Sequence, residues 1–351
     1  MATSRKHKTI SKLYKSILFL GGVFAFIFLI LLFILFSPNI KLESGEKSYL
    51  LIPDNSTFEN VIDSLNKTAN INSTFTFKQT ARLLNYGKKI HPGRYELKNA
   101  MNNFTLIRKL RSGSQSPVKL SFNNIRTKEQ LAKRLSVELM ADSTSIVNLL
   151  NDSIFLLQYN FNKNNSVSVF IPNTYEIFWD SDAGEIFMRM LKEYNKFWTD
   201  ERKTKAALIP LTQTEVSTLA SIVEEESNSK KERPIIAGLY INRLKIDMPL
   251  QADPTLKFAY GDFNLRRVAG ALLKTNSPYN TYINKGLPPG PIRITSPEAI
   301  DAVLNYENHD YIFMCAKETL NGEHNFASSW SEHQKNARKY QNALNERKIY
   351  K

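Results

Sequence analysis

Residues Ile17 to Phe36 read ILFLGGVFAFIFLILLFILF, a run without a charged residue or a proline. A bilayer core of roughly 30 Å asks for about 20 apolar residues in a helix, and the run meets that length. It exceeds the apolar segment of a cleaved signal peptide, about 7–15 residues. The following SPNIKLESGEK lacks a small-residue cleavage pattern. The run therefore predicts a retained transmembrane helix over 17–36. Arg5, Lys6, Lys8, Lys12 and Lys15 precede it, and basic flanks stay cytoplasmic. The expected topology is single-pass, with a basic cytoplasmic tail over 1–16 and the chain after about Ser37 on the outer face.

Roughly 300 residues then remain outside, enough for two or three domains. The formal net charge is +14, and five of the basic residues lie in the tail just named. Nucleic acid is the usual partner for such a surplus, but this topology argues against it; anionic headgroups or an acidic extracellular polymer fit better. Cys315 is the only cysteine, so no intramolecular disulfide can form. It sits in YIFMCA, which reads as a buried strand.

Three segments repeat one pattern: a short strand, a polar turn, then an amphipathic helix. They are SYLLIPDNSTFENVIDSLNK, GRYELKNAMNNFTLIRKLRSG and VKLSFNNIRTKEQLAKRLSVEL. In each, an Asn/Ser/Thr cluster stands where a helix N-cap belongs. Units this short predict small α+β modules rather than one large sheet. A first module spans about Lys47 to Gly113, with a helical piece, NSTFTFKQTARLLNYG, between its two units. Further on, VSVFIPNTYEIFW reads as a strand ending in a Pro-Asn turn, and a helix follows over about 183–199.

Thr212 and Glu215 form a T-x-x-E capping box. They open a helix with apolar positions at Val216, Leu219, Ala220, Ile222 and Val223, ending in Glu224, Glu225 and Glu226. At about 100° per residue, Glu225 points away from the apolar face, Glu224 sits at its edge and Glu226 falls on the buried side. An ionised carboxylate is costly to desolvate. Either Glu226 pairs with a cation, with Arg233 and Arg243 as candidates, or it is a general acid with a raised pKa. Downstream, Gln251, Asp253 and Thr255 lie in a loop beside a proline. Tyr279, Asn280, Thr281, Tyr282 and Asn284 precede the rigid turn GLPPG. Rings beside amides and hydroxyls are the usual lining of a carbohydrate cleft. His324, Phe326, His333 and Asn336 follow near the end; neither histidine has metal-ligand spacing.

The segments IPNTYEIFW, LASIVEEES, INRLKIDMPLQADPT, SPYNTYINKGLPPGPI and GEHNFASSWSEHQKN together resemble the endolytic murein transglycosylases of the MltG/YceG-like type, in that family's order. The resemblance implies an α+β protein of a bacterial cytoplasmic (inner) membrane. Its parts would be a single-pass anchor, a small LysM-like α+β module over 45–115 and a mixed α+β catalytic domain over 118–347, outside the cytoplasm. It implies that Glu226, second acid of an E-x-E-[ST] motif, is catalytic, and that Glu225 between the acids faces solvent. Gln251, Asp253, Thr255, Tyr279, Asn280, Thr281 and Tyr282 would bind glycan or steady the transition state, with Glu224, Asn242, His324 and His333 in support. No metal or cofactor is implied. The implied partners are peptidoglycan strands, the membrane and peptidoglycan synthases, without nucleic acid. Two alternatives stay open: a non-catalytic wall-binding scaffold, and a muramidase using Glu226 with Asp253.

Overall fold

The computed structural model describes residues 2–42, 47–265 and 270–347, with side chains described from Leu13 onward. The side chains of Arg5, Lys6, Lys8 and Lys12, and the expected module boundary at residue 45, lie outside the described residues. The chain divides into two compact units, 1–118 with 178–180, and 119–177 with 181–351.

In the first unit, helix α1 (Ala2–Phe36) leads into β1 (Ile40–Lys41), β2 (Ser48–Ile52), α2 (Phe58–Thr68), β3 (Asn70–Ile71), α3 (Thr74–Leu83), β4 (Gly93–Leu97) and α4 (Asn103–Ser112). The stretch Leu13–Phe36 is long and apolar enough to cross a membrane. Strands β2 and β4 pair antiparallel, from Ser48 opposite Leu97 to Ile52 opposite Gly93. Strands β1 and β3 form a second antiparallel pair. Helices α2 and α4 begin where the polar clusters predict, and α3 is capped in the same way: Thr57, Asn102 and Ser73 accept from the backbone three residues on. Gly113 closes α4 in the left-handed region, φ 66°. Leu50, Ile52, Val61, Leu65, Phe77, Tyr95, Leu97, Leu106 and Leu110 make the core.

The second unit runs β5 (Val118–Ser121), α5 (Lys128–Glu138), α6 (Ser143–Leu149), α7 (Ser153–Leu157), β6 (Thr174–Ile177), α8 (Ala183–Phe197), α9 (Asp200–Leu208), α10 (Gln213–Glu226), α11 (Arg233–Lys245), α12 (Asp253–Tyr260), α13 (Pro297–Leu304), β7 (Phe313–Ala316), β8 (His324–Ala327) and α14 (Trp330–Glu346). Its sheets are two-stranded, β5 with β6 and β7 with β8. The strand expected in VSVF is instead a buried 3-10 turn over Ser166–Val169. Asn162 accepts from the backbone of Asn164 and Asn165, so the segment closes its bonds locally, and the strand begins after the Pro-Asn turn. Strand β7 is half-buried throughout rather than buried, Cys315 included.

Helix α10 is the centre of this unit, packed against α11, α12 and α13. Val216, Leu219, Ile222 and Val223 are fully buried, each stabilising the fold by about 1.5–3 kcal/mol. Its polar side is buried too. Ser217, Thr218 and Ser221 bond back to carbonyls of their own helix. Segment 291–296 lies over them: Ile292 N donates to Ser221 Oγ at 3.0 Å, and Thr295 Oγ1 donates to Ser217 O at 3.1 Å. The GLPPG turn reaches its place through Gly290, where a Cβ would stand 2.0 Å from the Asn164 carbonyl oxygen.

Candidate active site

Three consecutive carboxylates leave the end of α10 in three directions, and their surroundings differ. Glu224 is buried, with 8% of its surface exposed. Its Oε2 accepts from Ser296 N at 3.0 Å, with Arg293 Nε at 3.5 Å and Arg233 Nη2 at 4.0 Å. Glu225 takes a two-pronged contact from Arg126, Nε at 3.1 Å and Nη2 at 2.9 Å, and another from Arg293 Nη1 at 2.8 Å. The expectation that Glu225 faces solvent is therefore wrong. The wheel angle was right, but the loop between β5 and α5 and the 291–296 segment bring Arg126 and Arg293 to that side.

Glu226 is the exception. Among the described residues it has no ion pair, and Tyr240 Oη of α11 donates to its Oε1 at 2.8 Å. Arg233 turns to Glu224 and to the Ser227 carbonyl. Arg243 donates to the carbonyls of Ile312 and Leu250. Desolvation is the main cause that pushes the Glu226 pKa up to about 7; the charge of Asp253 adds to it, while the Tyr240 hydrogen bond, Lys257 and Arg243 oppose it. Glu226 as a residue is half-buried. It lines a cavity of about 660 Å³ with Asn228, Ser229, Asn321, Gly322 and His324.

Ser227, last residue of the E-x-E-[ST] pattern, fixes that end of the helix. Its Oγ donates to Glu232 Oε2 at 3.0 Å. Glu232 also takes the His324 backbone N–H at 2.7 Å and contacts His324 Nδ1 at 3.1 Å. His324 is thus held at the cleft by a carboxylate. Tyr240 and Glu232 were both missed by sequence reasoning, since nothing in their neighbourhoods distinguishes them from ordinary helix residues.

The other expected residues separate into three groups. Asp253 and Tyr282 are joined, Tyr282 Oη donating to Asp253 Oδ1 at 2.5 Å. Both belong to the electrostatic surroundings of Glu226, with Arg243, which is buried. Asp253 and Thr255 are not in a loop; they open α12, with Pro254 in its first turn. Gln251 is exposed, with a left-handed backbone at φ 50°.

Thr255, Asn280 and Thr281 have no surface to offer a glycan, being at most 1% exposed. Thr281 Oγ1 meets Thr255 Oγ1 at 2.9 Å and accepts from Ala252 N at 3.0 Å. Asn280 Nδ2 donates to the Leu273 and Thr275 carbonyls. These polar groups tie the loop to α12 because buried polar atoms need partners.

Tyr279 stands apart, against Phe258 at 4.8 Å, in a groove shared with Arg126 and Phe263. Asn242 is likewise structural, donating to the His309 and Tyr311 carbonyls. His333 stacks between Phe313 and Trp330, and burial holds its pKa down.

The YceG-like family model matches residues 50–339. The chain belongs to the YceG-like family. An endolytic murein transglycosylase of Bacillus subtilis is 30% identical over 84% of this chain and 85% of its own length. One of Streptococcus pneumoniae D39 is 25% identical over 94% of this chain, which spans 64% of that relative. The crystal structure of a yceG-like protein from Listeria monocytogenes is similar at 28% identity and TM-score 0.55, covering 83% of this chain and 99% of that one. The match begins at residue 50 and so takes in part of the first unit as well as most of the second.

Proposed function

We propose that this YceG-like chain is an endolytic lytic transglycosylase. It would cut the β-1,4 bond between N-acetylmuramic acid and N-acetylglucosamine inside peptidoglycan strands. The observation that carries the reading is Glu226: a carboxyl without an ion pair among the described residues, on a residue that lines a cavity, its pKa pushed up to about 7 by desolvation. Half such groups are protonated near neutrality, which suits a group that must give a proton and then take one.

In the proposed reaction, protonated Glu226 donates to the glycosidic oxygen as the C1–O bond breaks. The N-acetylglucosamine end leaves with a free 4-hydroxyl. The muramic C6 oxygen then bonds to C1, and its proton goes to the ionised Glu226. The new end is a 1,6-anhydro ring, and the enzyme returns to its starting protonation state. One carboxylate serves both transfers because the nucleophile belongs to the substrate. A hydrolase would need a second carboxylate to serve water or the sugar. Asp253 is occupied by the Tyr282 hydroxyl, which favours the reading in which it shapes the cleft. Arg243, buried without a carboxylate partner among the described residues, would stabilise the ionised Glu226 midway.

The membrane topology completes the proposal. The run Ile17–Phe36, within the apolar stretch Leu13–Phe36, would hold the catalytic unit at the outer face of the cytoplasmic membrane, with residues 1–16 inside. Cuts would then fall in nascent strands close to the membrane, ending their elongation beside the peptidoglycan synthases. The test is digestion of purified glycan strands followed by mass spectrometry. Anhydro ends are expected. Reducing ends would make the protein a muramidase, and binding without cleavage would make it a scaffold. Glu226→Gln is expected to fold and to lose cleavage.

A further inference from the structure

The last turn of α1 is built into the first unit. Asn103 Nδ2 of α4 donates to the Ile34 carbonyl at 3.0 Å, and Thr80 Oγ1 of α3 reaches the same oxygen at 3.4 Å. Phe36 meets Phe104 at 5.2 Å. The residues after the helix are tied as tightly. Buried Asn39 donates to Asn103 Oδ1 at 2.6 Å and accepts from Ser73 N at 2.7 Å. The Asn103 and Thr80 bonds satisfy the Ile34 carbonyl, one of those that a helix end otherwise leaves open. They also remove any flexible spacer between the apolar helix and the module.

Ile34 lies two residues, about 3 Å, from the end of α1. The interfacial layer of a bilayer is roughly 5–7 Å deep on each side. If α1 spans a bilayer, surfaces of α3 and α4 beside Ile34 therefore stand at headgroup depth. Their outward side has the composition for that place. On α3, Phe75 and Leu83 are large apolar residues at 66% and 56% exposure, separated by exposed Lys78 and Arg82. On α4, exposed Arg108 follows Phe104 by four residues, on the same face. Among the described residues none of these three cations is paired with a carboxylate. Apolar side chains flanked by basic ones are what an interfacial helix presents to anionic lipid.

We infer that the exposed face of α3, with Arg108 of α4, lies in the headgroup layer of the membrane and binds anionic phospholipid. Phe75 and Leu83 enter the acyl boundary, and Lys78, Arg82 and Arg108 meet phosphates. The first unit is then a second point of membrane attachment, fixed in orientation rather than hanging from a tether. This inference rests on the proposed spanning role of α1.

The experiment separates the two. Full-length protein with Cys315→Ser carries one nitroxide at a cysteine replacing Phe28, Phe75 or Asp63, in phosphatidylglycerol nanodiscs. Accessibility to oxygen, which favours lipid, is compared with accessibility to a water-soluble nickel chelate. The label at Phe28 should read as lipid-buried, that at Asp63 on α2 as aqueous, and that at Phe75 between them. Charge reversal of Lys78, Arg82 and Arg108 to Glu should make Phe75 read like Asp63. The same reversal should have no effect in pure phosphatidylcholine, where Phe75 should already be more aqueous. Phe75 reading as aqueous while Phe28 reads as lipid-buried overturns the inference and leaves the anchor standing. Phe75 shielded from both reagents means a protein covers this face, which also overturns it. An aqueous Phe28 removes the anchor, and the inference with it.

Discussion

Tyr240 on α11 donates its hydroxyl to Glu226 Oε1 across 2.8 Å, the one hydrogen bond found on that carboxyl among the described residues. It favours the ionised form and so holds the Glu226 pKa below where burial alone would put it. Protonated Glu226 is the acid of the proposed first step, so activity should decline as pH rises through about 7. Tyr240→Phe raises that pKa, and the alkaline decline should move to higher pH. Loss of a bond to a charged group should also lower kcat by about tenfold or more. Release of anhydro-ended fragments, measured from pH 5 to 9, checks both. An unmoved decline would count against the contact.

Glu226 should be a stability liability above neutrality. Its folded pKa lies above the unfolded value, so the folded state holds the proton more tightly. Ionising it costs stability progressively as pH rises from about 4.5 to about 7. Below that window the two states are equally protonated and the cost is absent. Glu226→Gln should match the wild type near pH 4 and exceed it at pH 8. The gain should be on the order of 1–2 kcal/mol, since the residue is only half-buried and solvent screens part of the effect. Thermal melts at the two pH values read the difference directly.

Glu225 should be intolerant of charge reversal. It stands between Arg126 and Arg293, with side chains only 13–28% exposed on the arginine side. Glu225→Lys gathers three cations there and should cost about 3–5 kcal/mol. Urea unfolding monitors it. A change below about 1 kcal/mol would mean that the pair behaves as an exposed one.

Thr281→Val should loosen the loop that carries Tyr282. The substitution keeps shape but leaves the Ala252 N–H and the Thr255 hydroxyl with fewer partners. Such buried groups cost about 1–3 kcal/mol each when unpaired. Hydrogen exchange at Ala252 should accelerate, which a direct glycan-binding role for Thr281 would not require.

Gly290→Ala should be destabilising for a reason in the backbone. The added carbon would collide with the Asn164 carbonyl at 2.0 Å, and a main-chain atom cannot rotate away. A loss of about 1–3 kcal/mol is expected, as for other forced overpacking, with a lowered Tm as the readout.

Much of the local structure was legible in residues alone. The apolar run gave α1. The Thr212–Glu215 box gave the start of α10, and its apolar spacing set Glu226 apart from Glu225 at the other end. The polar clusters that hold Thr57 and Asn102 gave the starts of α2 and α4. These signals act between residues within about four positions, which is the reach of helix periodicity and capping. What the tertiary structure decided lies farther apart along the chain. Arg126 and Arg293 neutralise Glu225 from 99 and 68 positions away. The 291–296 segment covers the polar side of α10, and Thr281 turns inward to meet Thr255. Tyr240 is brought to Glu226 by the packing of α11 on α10. Three adjacent glutamates are chemically alike in sequence. Their separation into a buried ion pair, an arginine clamp and a proton-holding acid comes from desolvation and from which neighbours the fold delivers.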